Sequence, residues 1–144
     1  MAFPFTIKYS KTFNESINSE ERKIIINYIN DYAIDKKADN ISRNSDSLTI
    51  RTWILGWNWR TFSSIDKGIF IVGDNKLIYE FSMYRLFIIV PIFSLLISYS
   101  SNNIKIGIFL FVFLGLGNWI MTKVKQKNVF NELIQGLKSE KNIN

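Results

Sequence analysis

The sequence predicts an α+β membrane protein: one helix on an antiparallel sheet of four or five strands, then a two-helix transmembrane hairpin and a short amphipathic C-terminal helix. Three observations lead there. Two long uncharged runs, Leu86 to Ile104 and Ile106 to Thr122, follow one another with a single lysine between them. The first 83 residues combine apolar spacings of period two with one stretch of helical period. The basic excess is lopsided, with 11 Lys/Arg against 10 Asp/Glu in residues 1–83 and 7 against 2 in residues 84–144. The expected units are therefore a domain over 1–83, a hairpin over 84–122 with spans near 86–104 and 106–122, and a basic tail over 123–144.

Element by element, Phe3 to Phe13 alternates as a strand with Phe5, Ile7 and Tyr9 on one side, and Pro4 restricts its start to an edge. A helix begins near Asn18, where Glu21 three residues on makes a capping arrangement. Its apolar face is read as Ile24, Ile25, Tyr28, Ile29 and Tyr32, and the polar stretch Ala38 to Ser47 ends it. Strand-like runs follow at Leu48 to Leu55, Trp59 to Ser63, Gly68 to Val72 and Lys76 to Ser82. Gly73, Asp74 and Asn75 suit a tight hairpin between the last two. No flexible linker separates Ser82 from Arg85, so the domain is held close to whatever the next helix enters.

The uncharged runs hold 19 and 17 residues, or roughly 28 and 26 Å of helix against a hydrocarbon core of about 30 Å. Snorkelling by Arg85, Lys105 and Lys123 supplies the missing length. Ser98 to Lys105 (SYSSNNIK) reads as the turn, because Ser and Asn side chains bond to nearby backbone. Arg85 on one flank and Lys123, Lys125 and Lys127 on the other outweigh Lys105 at the turn, which places both termini in the cytoplasm and makes this a multi-pass protein of the cell inner membrane. Tyr84, Tyr99 and Trp119 sit where interfacial aromatics are favoured. The alternative is a re-entrant hairpin, since the strictly apolar part of the first run, Leu86 to Ile97, is 12 residues long and contains Pro91. In the tail, Phe130, Leu133, Ile134 and Leu137 share a helix face, which either extends the second apolar helix or lies against the domain or the lipid headgroups. The opening MAFPFTIKYSK has no long apolar core and its lysines follow the apolar residues, so it is not expected to act as a secretory signal.

With no cysteine and no histidine, disulfides, Cys/His zinc sites, His or Cys haem ligation, His bases and Cys nucleophiles are excluded. A pI near 9.6 invites a nucleic-acid reading, but the cations flank apolar runs, so no nucleic-acid partner is expected. No P-loop, dinucleotide-binding glycine pattern or Ser-x-x-Lys set occurs, and no metal or other cofactor is expected. The most unusual local feature is Trp53, Trp57, Trp59 and Arg60, suited to stacking on a ligand, to sheet core or to lipid headgroups. Asp31 and Asp35, four apart on a helix, match paired carboxylates but also a solvated face, and Asp66 beside Lys67 and Asp74 read as solvated turn residues. Gly115, Gly117 and Asn118 favour close helix packing, as Ser94 does in the first span, and the lack of an ionisable residue inside either run argues against transport. The expected function is a non-catalytic, membrane-anchored accessory or adaptor subunit whose partners are the bilayer and another protein or a second copy. The alternative is a ligand-sensing effector built on Trp57, Trp59 and Arg60.

Overall fold

In a computed structural model, which describes residues 6–52 and 61–141, the order is β1 (Thr6–Thr12), α1 (Ser19–Asp35), β2 (Ile41–Arg43), β3 (Ser47–Arg51), β4 (Lys67–Val72), β5 (Lys76–Ser82), α2 (Tyr84–Ser100) and α3 (Ile104–Lys141). The five strands form one antiparallel sheet in the order β1-β5-β4-β3-β2. The first strand thus pairs with the last, Ile7 opposite Phe81 and Tyr9 opposite Tyr79, and stands at an edge of the sheet. Alternation along the strands buries Leu48 and Ile50, Phe70 and Val72, and Leu77, Tyr79 and Phe81 on one face. That face is covered by α1 and the C-terminal half of α3, which together form the core.

The α1 start is capped as expected: Asn18 Oδ1 accepts from the Glu21 N–H at 2.8 Å and Glu21 Oε2 accepts from the Asn18 N–H at 3.1 Å. Its buried face is Ile25, Ile26, Ile29 and Ala33, whereas Ile24 is half exposed. Three consecutive isoleucines leave the phase of an apolar stripe open, and contact with the sheet selects one rotation. The hairpin turn at Gly73 closes through its N–H on Lys76 O at 2.8 Å.

Four expectations need correction. The expected strand Leu48 to Leu55 ends at Arg51, with residues 53–55 outside the described ones. The described part of the expected strand Trp59 to Ser63 is a turn, in which the Ile65 N–H reaches Phe62 O and the Thr52 hydroxyl holds the same carbonyl. β2 arises in the polar stretch that the sequence reading left unstructured, because Arg43 and Ile41 find backbone partners on β3. The separate C-terminal helix does not exist: α3 runs 38 residues without a break, about 57 Å at the usual rise. Nothing in KVKQK stops a helix, and the apolar seam of the tail continues in phase with that of the preceding run.

α2 and α3 pack side by side through the turn at Ser101 to Asn103. There the Ser101 hydroxyl donates to Ile97 O at 2.7 Å, Asn103 Oδ1 accepts from the Lys105 N–H at 3.0 Å, and Asn102 adopts a left-handed φ of 49°. Asn is among the residues that tolerate this region. Pro91 is accommodated inside α2. By length and composition α3 is the one described helix able to cross a membrane, with 6% of its most apolar 18-residue window buried; α2, at 17 residues, is shorter.

Candidate functional site at the junction of sheet and apolar helices

Chemistry-bearing side chains concentrate where the sheet passes into the helix pair. Only Met83, itself buried, lies between the end of β5 and the start of α2. Beside it sits Asp66, immediately before β4, where its own N–H bonds to Ser82 O and its carbonyl accepts from the Thr52 N–H. The carboxylate is buried and faces α2. Oδ2 accepts from the Arg85 N–H at 3.1 Å, and Oδ1 forms an ion pair with Arg85 Nε at 3.0 Å. Arg85 Nη2 in turn donates to Thr52 O at 2.7 Å. Since Met83 provides no side-chain cap for α2, Asp66 supplies from the sheet the negative charge that a helix N-terminus favours. Burial raises the Asp66 pKa from its ordinary value, outweighing the lowering by Arg85 and the backbone N–H groups.

A second polar contact holds α3. Gln126 is fully buried; its Oε1 accepts from the Tyr79 hydroxyl at 2.7 Å and its Nε2 donates to Thr61 O at 3.0 Å. The Tyr9 hydroxyl donates to Lys123 O at 3.0 Å. Around these bonds Tyr79 stacks on Phe70 with centroids 4.2 Å apart, and Phe130 stacks on Tyr9 at 6.1 Å. Desolvation holds the Tyr79 hydroxyl well above the usual tyrosine range, so it acts as a donor. Further along α3, Glu132 takes the Tyr32 hydroxyl at 3.0 Å and Lys36 Nζ at 3.5 Å, fastening the helix to α1. Gly136 allows this approach, because a Cβ there would lie 1.8 Å from the Tyr28 hydroxyl.

In the helix pair the close approach is made by Gly107, where an added Cβ would come within 2.6 Å of Ser98 Cβ and 2.9 Å of Ser94 O. Gly115 has only Val90 at an ordinary 3.7 Å, Gly117 faces open space, and Asn118 bonds back to Leu114 O on its own helix. Gly117 and Asn118 therefore do not seat α2 against α3, and Gly115 meets it only at an ordinary van der Waals distance. Ser94 is buried between the helices.

Of the other residues singled out from sequence, Trp53, Trp57, Trp59 and Arg60 lie outside the described residues. Arg85 stands at the start of α2 as expected, but its guanidinium is engaged by Asp66 rather than directed to an interface. Asp66 is not a solvated turn residue: it is buried because Arg85 and two backbone groups accompany it inward. Asp74 is exposed and binds Arg22 at 2.9 Å, and Asp46 takes the same guanidinium at 3.1 Å. Asp31 and Asp35 are both exposed on α1. Lys123 and Lys127 are exposed, with Lys123 Nζ 5.2 Å from the Trp119 ring centre, while Lys125 is partly buried and its pKa is lowered by desolvation. Among the described residues no group of three or more Cys, His, Asp or Glu comes together.

Sequence reasoning missed Gln126, Gly107 and the Asp66 and Arg85 pair. Gln126 had a legible signal: Thr122, Gln126, Phe130, Leu133 and Leu137 continue one helical stripe. The ion pair had none, since 19 residues separate its members. Comparison with protein-family models, curated proteins and solved structures gave no match.

Proposed function

We propose that this chain is a membrane-anchored accessory or adaptor subunit without catalysis of its own. In this reading α2 and α3 cross the bilayer as a hairpin, and the α+β domain meets a partner protein at the cytoplasmic face. The observation that carries the reading is the outer surface of the helix pair. Ile89, Phe93 and Leu96 on α2, and Phe109, Phe113, Leu116 and Met121 on α3, are all more than half exposed. Leaving each such side chain in water forgoes about 1.5 to 3 kcal/mol, and contiguous apolar surface of this extent is covered by lipid or protein. The cations beside the domain, against Lys105 at the turn, support a cytoplasmic domain.

The natural chain has no cysteine, so single introduced thiols give an unambiguous test. In sealed vesicles of known orientation, S101C at the turn and N14C on the domain should react with an impermeant thiol reagent from opposite sides. Reaction from the same side would replace the spanning hairpin by a re-entrant one. Release of the chain by alkaline carbonate would remove the membrane reading altogether. A photo-cross-linker on N14C in native membranes should yield one discrete adduct with a different protein, whereas adducts between copies alone would replace the adaptor by a self-associating subunit.

A further inference from the structure

Resting on the membrane reading, we infer that the end of the domain nearest the helix pair is a docking collar for anionic phospholipid headgroups, built by the sheet as well as by the helix flank. Arg51 and Lys67 face each other in register on β3 and β4, and Lys67 is also opposite Ser82, the last residue of β5 before Met83 and α2. Their neighbours Ile50 and Gly68 are buried toward the core, so alternation puts both cations on the other face of the sheet. On the α3 side, Lys123 and Lys127 are exposed and four residues apart, on one flank of the helix. Gly107 lies against Ser94 and Ser98, and Gly115 lies against Val90. This antiparallel register brings Thr122 level with Met83, so Lys123 leaves the apolar segment where α2 enters it.

Cations therefore stand on both sides of the sheet in the plane where the apolar surface begins. Of the carboxylates nearby, Asp66 is occupied by Arg85, and Glu80, on the same sheet face as Lys67, lies opposite Lys8 on β1. At the far end of the domain Arg22 is taken up by two carboxylates, Asp46 and Asp74, while Lys11 and Lys76 stand there away from the helix pair. A positive rim bordering lipid-covered helices is complementary to phosphate-bearing headgroups, and a Lys or Arg at such a surface favours anionic lipid by a factor of about five. The Trp119 ring beneath Lys123 adds an interfacial aromatic at the same level.

The test uses the full purified chain equilibrated in mixed micelles of phosphatidylglycerol and phosphatidylcholine, with retained lipid quantified by mass spectrometry. Phosphatidylglycerol should be enriched over its micellar fraction. The enrichment should fall at least about fivefold in R51Q/K67Q and again in K123Q/K127Q, and it should weaken in high salt. Each variant is scored at an unchanged melting midpoint, and two separate pairs are used so that one misfolded variant leaves the other to decide. The control K11Q/K76Q removes two exposed cations from the far end and should leave the enrichment intact. Equal retention of both lipids, an equal loss in the control, or competition by millimolar inorganic phosphate would overturn the collar. A chain that retains neither lipid fails the membrane reading instead.

Discussion

Gln126 occupies a position where an apolar residue would be the simpler choice. It is fully buried beneath an aromatic stack, yet both ends of its amide are satisfied by Tyr79 and the Thr61 carbonyl. Replacing it with leucine leaves a buried phenol and a part-buried carbonyl without partners, at about 2 kcal/mol. Y79F removes only the donor and should cost about 1 kcal/mol. The double variant should cost less than the two single ones together, because the second change removes the orphan that the first created; thermal unfolding in detergent measures this, and additive losses would deny the coupling. Asp66 behaves differently because it is ionisable. Its folded-state pKa is raised by burial above the ordinary 3.8, so the folded state binds the proton more tightly than the unfolded one. The stability it contributes must then fall as pH rises from that value through the raised pKa, and stay level above. D66N should abolish this slope while costing about 2 kcal/mol at neutral pH, through a partly buried Arg85 left without its carboxylate. A slope unchanged in D66N would assign it to another group.

Among the elements, α3 serves two packings. Gly107 sits against α2, and Thr122, Gln126, Phe130, Leu133 and Leu137, at helical spacing along one face, sit against the sheet and α1. The glycines on this helix therefore differ in meaning. G107A must push Ser98 and the Ser94 carbonyl aside and should lower the melting midpoint. G117A meets nothing within 4 Å, so it should be neutral or stabilising by up to about 1 kcal/mol from helix propensity alone. If the two variants melted alike, Gly107 would not be the point of close approach. Spacing alone does not say which glycine of this helix meets α2, and it is Gly107 rather than Gly117 that does so closely.

For the whole molecule, the continuity of α3 matters most. The domain and the apolar pair share one helix, and β5 enters α2 with a single intervening residue, so the two parts are joined at two fastened points, Asp66 with Arg85 and Gln126 with Tyr79. Backbone amides across Thr122 to Gln126 should accordingly exchange with deuterium as slowly as those of the flanking turns. A local maximum of exchange there would indicate a hinge and separate the domain from the helices mechanically.

The sequence by itself determined what depends on local order. The class of fold, the capping of α1 at Asn18, the Gly73 hairpin, the apolar runs and the turn at Ser101 to Asn103 were all legible, since period, turn chemistry and charge act between residues close in the chain. Only the tertiary structure decided the rest: which two of three isoleucines in α1 face inward, that β1 pairs with β5, that β2 exists, which of the tail's alternatives holds, and that Arg85 is paired with Asp66. Each of these is settled by a partner many residues away. A buried charge or amide is tolerated only where that partner arrives with good geometry, and a one-chain reading of spacing carries no record of who arrives.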